Sequence, residues 1–444
     1  MLNFLNTIIN LPSADFVEGL NWLGRIVQWL VEIMPNIGLG IILFTLVLKV
    51  ITLPLDVYSK ASMRKNSLKM EKMRPQLEKL QKQYANDQKM YNAKMMEMYK
   101  KNGYSMLGAC LPMIVTLVIF FVVLGAFSTY SNYTNVNVYV RMTESYNSAI
   151  LSHAADTEGT PSSVIYEKGE GYTYTRTEVY DGGDALIQVR ISRTMVFERE
   201  MTDEELAAAD WSQATASSPT YYVKAESVLS SADADVKAAA DWARENSAEG
   251  ADEDSVAVLA VRRLGRNAAE ETYREGASRF LWIKNIWLPD THYTHPVQQE
   301  AGVPDDVYSE ITYNLEAEKS AANGYYILIV ISIGSMFLSQ FITSRSQKAQ
   351  NELQTADGSG KRTQKIMMIV MPVIFGIFSF MYSAAFSIYM ITSNLFGILS
   401  TVVTNFFIDK KFAKAEEREI QEKYNKRIPQ AARKTDERNG GKKQ

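Results

Sequence analysis

The sequence predicts an all-α polytopic membrane protein with five transmembrane helices, a cytoplasmic helical hairpin and one α+β extracytoplasmic insert. Three observations predict this. Uncharged apolar runs recur, each long enough to cover a hydrocarbon core of about 30 Å. The segments between them fall into basic and acidic blocks, the asymmetry that sets membrane topology. The acidic block carries strand-period and helix-period patterns of its own, so it reads as a folded unit and not as a linker. The net charge of −3 averages these blocks and carries no signature of DNA binding. A lone cysteine, Cys110, excludes a disulfide framework.

Residues 1–35 read as an extracytoplasmic, interfacial amphipathic helix. Asp15, Glu18, Arg25 and Glu32 interrupt the run, while Leu20, Leu23, Ile26, Val27, Leu30 and Ile33 recur at helical spacing and Trp22 and Trp29 suit headgroup depth. No basic region with an apolar core and cleavage site is recognised, so the first span is expected to act as the insertion signal. That span occupies 36–55. From Ile37 to Leu55 it is apolar apart from Lys49 and two threonines, Thr45 and Thr52. About 19 residues reach roughly 28 Å. A lysine at mid-depth costs about 2.5–3.5 kcal/mol. Two readings of Lys49 stand: its stem snorkels toward the boundary marked by Asp56, roughly 10 Å away, or it faces a wet cavity inside a helix bundle.

Residues 56–104 hold 12 Lys and Arg against 5 Asp and Glu. They predict a cytoplasmic hairpin: a helix over Lys65–Tyr84 with Pro75 near its middle or at a restart, a turn at Ala85-Asn86-Asp87 with Asp87 as N-cap, and a helix from Gln88 to Lys101 ended by Asn102-Gly103. Met90, Met95, Met96 and Met98 suit an adaptable contact surface, and equally suit packing of the hairpin against itself or lipid. The second span lies within 105–128, with Pro112 in its first turns, where proline costs least.

The insert is placed at 129–279 and an interfacial return segment at 280–322; residues 130–322 carry 33 acidic against 16 basic side chains. Alternation over 172–200 around Asp181-Gly182-Gly183-Asp184 predicts a β-hairpin, and residues 203–247 and 252–279 read as helices. In the return segment Trp282 and Trp287 are expected at the membrane interface. His292 and His295 near Asp290 are too weak a pattern to assign a metal. The third span, 323–344, carries Ser332, Ser335, Ser339 and Gln340; the loop 345–365 is basic; the uncharged run 366–408 divides into spans 366–382 and 386–408 near Tyr382-Ser383-Ala384-Ala385. The tail 409–444 holds 12 basic against 7 acidic residues and is expected to fray into disorder. Five spans put all three basic segments in the cytoplasm with the C-terminus, and the N-terminus and insert outside.

Lys49 is the one charged residue expected within a span. An intramembrane aspartyl protease needs acids there, a serine version needs a base, and an ion pump needs a relay of titratable groups. HExxH, P-loop and GxSxG motifs are absent, and neither an enzyme nor a cofactor is expected. What remains is one cation with uncharged polar groups: Thr45, Ser335, Ser339, Gln340, Tyr389, Ser393 and Asn394. For serine and threonine the competing reading is a hydrogen bond to their own helix backbone. Gln340 and Asn394 are harder to hide that way.

Several stretches occur in an order that is itself informative: Thr45-Leu46-Val47-Leu48-Lys49 with Leu53-Pro54-Leu55, Arg74-Pro75-Gln76-Leu77, Tyr84-Ala85-Asn86-Asp87, Met98-Tyr99-Lys100-Lys101-Asn102-Gly103, Gly108-Ala109-Cys110-Leu111-Pro112, Phe280-Leu281-Trp282, Gln364-Lys365-Ile366-Met367, Met371-Pro372-Val373-Ile374-Phe375 and Tyr389-Met390-Ile391-Thr392-Ser393-Asn394-Leu395. Over roughly residues 17–128 and 280–410 the chain resembles the YidC/Oxa/Alb family of membrane protein insertases. The resemblance implies a five-span core around a hydrophilic groove, open to cytoplasm and lipid and closed outward, in a bacterial cell membrane. The family's groove cation, usually arginine, looks like Lys49, and Gln340 matches a polar groove position. Lysine keeps the charge without the bidentate fork. Lys49 and Gln340, matched by the resemblance, together with the polar span residues Thr45, Ser335, Tyr389 and Asn394 are the candidate groove, and Pro75, Met95 and Met98 are the candidate substrate contacts on the hairpin. It implies nascent membrane proteins as substrates, a Sec translocon as possible partner, and a ribosome or anionic lipids facing the basic tail. The insert has no counterpart in it, since the family usually has a short connection there. Two other classes stay open: a transporter or channel subunit, and a membrane-anchored binding protein acting through its insert.

Overall fold

The computed structural model describes residues 7–13, 19–104, 106–291, 297–299, 302–346 and 359–427. In chain order the elements are β1 (Ile8–Ile9), α1 (Trp22–Glu32), α2 (Ile37–Gln83), α3 (Gln88–Lys101), α4 (Met106–Leu151), β2 (Ser163–Lys168), β3 (Thr173–Tyr180), β4 (Ile187–Val196), α5 (Asp203–Ala208), β5 (Thr215–Ala216), β6 (Thr220–Val223), α6 (Ala225–Leu229), α7 (Ala234–Asn246), α8 (Glu253–Gly276), α9 (Asp305–Ile311), α10 (Glu316–Lys319), α11 (Ile327–Ser346), α12 (Ser359–Met381) and α13 (Ala384–Arg427). They form two units. One takes 1–19, 132–278 and 293–322; the other takes 20–131, 279–292 and 323–444.

The first unit is α+β. Its antiparallel sheet runs β1-β6-β4-β3-β2, with β5 also paired to β4. The β3–β4 hairpin forms around the predicted Asp-Gly-Gly-Asp turn, pairing Tyr180 with Val189. Ile8 and Ile9 pair with Tyr222 and Tyr221, so the start of the chain adds an edge strand here instead of lengthening the amphipathic helix. The stretch 203–247, read as helical, contains β5 and β6 between short helices, because Thr220-Tyr221-Tyr222-Val223 favours a strand locally. The core gathers Tyr139, Met142, Tyr146 and Ile150 of α4 with the alanine- and valine-rich faces of α7 and α8. Within it Arg266 forms a bidentate pair with Glu310 (2.9 and 2.6 Å), Tyr146 donates to the same carboxylate at 2.9 Å, and the guanidinium lies 3.8 Å from the Tyr313 ring centre. Burial and the neighbouring carboxylate push the Tyr146 hydroxyl strongly up, so it stays a neutral donor.

The second unit is helical. Among the described residues four helices are long and apolar enough to cross a membrane, in Ile37–Gln83, Leu117–Leu151, Ile327–Arg345 and Ala384–Glu422, with a shorter apolar helix at Met368–Met381. Several helices run on past the boundaries the sequence indicates. The 47-residue α2 passes through Pro54 and Pro75 without ending, since each proline forfeits one backbone bond in a helix secured on both sides. The 46-residue α4 continues to Leu151, and its residues from Asn132 belong to the first unit. α13 continues through the charged Asp409–Arg427, where disorder was expected; residues 428–444 lie outside the described set. The predicted break after the fourth apolar helix is found, with α12 ending at Met381 and α13 starting at Ala384.

Aromatic contacts, most of them edge-to-face, hold this bundle together. Phe120 of α4 meets Phe375 and Phe378 of α12 at 4.6 and 6.1 Å and Phe386 of α13 at 5.8 Å; Phe127 meets Phe44 of α2 at 5.3 Å and Tyr389 of α13 at 5.8 Å. α1 packs Gly24, Val27 and Val31 inward and leaves Trp22, Ile26, Trp29 and Ile33 exposed, the apolar face an interfacial helix needs. A side chain at Gly40 would run into the Val31 carbonyl, so the two backbones approach closely there. The α2–α3 hairpin has its own small core, described below with the site.

Truncating Glu310 to Ala would leave the Arg266 guanidinium buried without its carboxylate. The expected loss is about 3–5 kcal/mol of stability, measured as a lowered unfolding temperature of the purified chain in detergent.

Candidate functional site

The polar groups of the helical unit sort into three levels. At the first, the return segment 279–291 ties the helix ends together. Asp290 is fully buried and its Oδ2 accepts from the Leu328 and Ile329 N–H groups (2.7 and 3.4 Å), so a carboxylate from a distant loop caps α11. The Ala384 and Ala385 N–H groups at the start of α13 donate to the carbonyls of Leu288 and Ile286 at 2.8 and 2.9 Å. Asn323 donates to the carbonyls of Asn285 and Pro289 and accepts from the Asn285 N–H. Ser131 of α4 donates to the Trp287 carbonyl at 2.8 Å, and the Asn36 amide, at the N-cap of α2, donates to that of Arg279 at 3.5 Å. Tyr130 packs on Trp287 and donates to Glu32 of α1 at 3.1 Å. Trp287, expected at the interface, is therefore buried within the protein; it fills the space among these helix ends. Burial raises the Asp290 carboxyl above its ordinary range, against the amide hydrogen bonds that lower it.

The second level contains the candidate groove residues. Ser335 of α11 accepts from the Asn394 amide of α13 at 2.9 Å and donates to the Ser332 carbonyl at 2.8 Å. Ser332 in turn lies 3.3 Å from Ser379 of α12, hydroxyl to hydroxyl. Three helices are thus joined by side-chain hydrogen bonds. Thr45 is fully buried and donates to the Ile41 carbonyl at 2.7 Å, the self-capping alternative for a membrane threonine. Tyr389 is buried in the aromatic cluster. Gln340 is half-buried, five residues past Ser335 and so about 140° round the helix. Lys49 is half-buried on α2. The structure brings Ser335 and Asn394 into contact; among the described residues no hydrogen bond joins Lys49 to either.

The third level begins where α2 leaves the apolar run. Asp56 and Lys60 are half-buried, and the Lys60 ammonium donates to Thr401 of α13 at 3.1 Å. Ser400, Thr401 and Thr404 are all buried on α13. Further along, Met70, Met73, Leu77 and Tyr99 form the hairpin core, with Met95, Met98 and Tyr104 packed against it. Met95 and Met98 therefore serve the hairpin's own packing, while Met90, Met96 and Pro75 are exposed. Asp87 caps α3 by accepting from the Met90 N–H at 3.0 Å, as its position in the turn predicts. His292 and His295 lie outside the described residues, and the Asp290 carboxylate is taken up by α11.

Sequence reasoning missed Asp290, Asn323 and Thr401, because nothing local marks a residue that works through a distant chain segment. It used Asp56 only as a boundary mark, although the spacing 49, 56, 60 was there to be read.

These features define a helical polytopic membrane protein with a folded α+β unit. The family model described as 60Kd inner membrane protein matches residues 29–213 and 266–412, and the chain belongs to that family, the YidC insertases and their relatives. The match extends to residue 213, well into the insert for which the sequence resemblance gave no counterpart. Similar curated proteins include the membrane protein insertases YidC of Leptospira interrogans (38% identical over 117 residues, 26% of this chain and 18% of the relative), Fusobacterium nucleatum (42% over 90 residues, 20% and 42%) and Treponema denticola (31% over 122 residues, 27% and 20%). Each aligned stretch is less than half of the relative's own length.

Gly324 packs so closely on the Asp290 carboxylate that a Cβ would overlap it. Gly324→Ala is expected to displace that cap and cost about 1–3 kcal/mol. The check is the unfolding temperature in detergent beside Gly334→Ala, whose Cβ meets open space and which should stay close to the parent.

Proposed function

We propose that this protein is a membrane protein insertase and chaperone of a bacterial cell membrane, working without catalysis. The observation that carries the reading is Lys49, the single lysine of the apolar run 37–55, half-buried in a unit where Ser335, Asn394, Ser332 and Ser379 hydrogen-bond between helices, in a chain of the YidC family. The fourth and fifth spans are α12 and α13. The N-terminus and α+β insert face outward and the basic segments face the cytoplasm.

The mechanism is one of solvation. A polar segment crossing the bilayer loses water, and each unsatisfied backbone group costs several kcal/mol. A hydrated groove reaching part-way from the cytoplasm shortens that passage. Lys49 lies along it, with Gln340, Ser335 and Asn394 as uncharged hydrogen-bonding groups and Thr45 and Tyr389 shaping its wall. The ammonium attracts acidic residues in the translocating tail of a nascent membrane protein and lengthens their stay. The apolar segment of the substrate then leaves sideways into lipid, driven by hydrophobic transfer. The hairpin makes the first contact. Pro75, Met95 and Met98 are its candidate contacts, with the exposed Met90 and Met96 beside the partly buried Met95 and Met98. The basic tail faces ribosomal RNA or anionic lipid, and a Sec translocon can share larger substrates.

The experiment is insertion of a single-span substrate with an acidic tail into liposomes containing this protein alone, parent beside Lys49→Ala and Lys49→Arg. The parent inserts above protein-free liposomes, Lys49→Arg keeps activity, and Lys49→Ala loses about tenfold if the charge is worth near 1.4 kcal/mol. Equal insertion by parent and Lys49→Ala contradicts the role of the charge.

A further inference from the structure

Lys49, Asp56 and Lys60 are spaced by 7 and 4 residues on one continuous helix. At 3.6 residues per turn Asp56 and Lys60 each fall within about 20° of the Lys49 direction. The three form a single stripe along α2, cation, anion, cation, beginning inside the apolar run and ending where α2 emerges from it. All three are half-buried, so the stripe faces protein for part of its girth and is not a freely solvated surface. Its far end is fixed, because the Lys60 ammonium donates to Thr401 of α13 at 3.1 Å. Along the helix axis Asp56 stands about 10 Å from Lys49 and about 6 Å from Lys60. The bundle supplies no other acid to this stripe among the described residues of α11 and α13 up to Ile408: Ile327–Arg345 and Ala384–Ile408 contain neither Asp nor Glu.

We infer that Asp56 is the resident counter-ion of Lys49, a specificity-determining residue that a substrate's acidic tail must displace to reach the groove cation. Lys60, held by Thr401, keeps Asp56 from following Lys49 deeper, so the exchange of one carboxylate for another takes place at a fixed depth. A tail with one acidic residue competes with Asp56 poorly, and a tail with several competes well. The stripe thereby sets a threshold of acidity for substrates. This inference rests on the insertase reading above and deepens it.

The test is the rate of insertion into liposomes containing the full chain, for substrates identical except for tails with no, one or three Asp residues. The variants are Asp56→Asn, Asp56→Glu and the pair Lys49→Ala with Asp56→Asn. Asp56→Asn is expected to raise the rate for the one-Asp tail about threefold or more, close to that of the three-Asp tail, with the uncharged tail unchanged. Asp56→Glu keeps the parent's dependence on tail charge, and the double variant loses the gain. Asp56→Asn with an unaltered dependence on tail charge overturns the inference. So does equal acceleration of charged and uncharged tails, or an equal loss for all, which marks a structural role. If the parent inserts no substrate above protein-free liposomes, the insertase reading itself has failed and the inference falls with it.

Discussion

A polar group inside a bilayer has no water to turn to, so it must find its partner within the protein. Most polar groups of the helical unit follow this constraint; among the described residues, Asp290 Oδ1 and the buried Ser400 hydroxyl have no hydrogen-bond partner. The first N–H groups of α11 and α13 are taken up by Asp290 and by the carbonyls of Leu288 and Ile286. The hydroxyls and amide between α11, α12 and α13 satisfy one another through Ser335, Asn394, Ser332 and Ser379. The Asp56 carboxylate stands two turns, about 10 Å, along α2 from Lys49. Aromatic packing gives the bundle its cohesion, but the satisfaction of polar groups decides which helix ends and faces meet.

The return segment 279–291 shows how much one short loop can do under this constraint. It lacks regular structure beyond a Phe280–Ile283 bridge, yet it supplies caps or carbonyl acceptors to α2, α4, α11 and α13. Gly324 beside Asp290 is the complementary feature, a position where any side chain would collide with the cap. A loop so constrained holds the ends of four helices of this unit together.

Much of this was legible in the sequence, for definite reasons. Helix identity and the α12–α13 break follow from the lengths of uncharged runs. Asp87 and the Asp-Gly-Gly-Asp turn act through neighbours within a few residues, so local pattern finds them. Helix ends were less legible. α2 runs unbroken through Pro75, where the sequence allows a restart, and α13 runs on through the charged stretch after Ile408, which reads as a fraying tail. The strand at Ile8–Ile9 was invisible because its partner lies more than 200 residues away, at Tyr221–Tyr222. Within the site, residue types with a membrane cost announced themselves, as Lys49 and Asn394 did. Asp290 and Thr401 did not, since their roles exist only once distant segments meet. The sequence leaves Met95 and Met98 between a contact surface and hairpin packing, and the structure shows both partly buried against the hairpin core.

The central claim is the proposed groove: a substrate passes beside Lys49 of α2 and the polar face shared by α11 and α13, and not along the outside of the bundle. The most direct measurement is site-specific photocrosslinking from the full chain in membranes to a substrate arrested during insertion. A probe at Ser335 or Asn394, in mutual contact between helices, is compared with one at Phe121, exposed on α4. Crosslinks from Ser335 and Asn394 to the substrate's translocating tail, and none from Phe121, are the predicted result. Tail crosslinks from Phe121 alone would contradict the account.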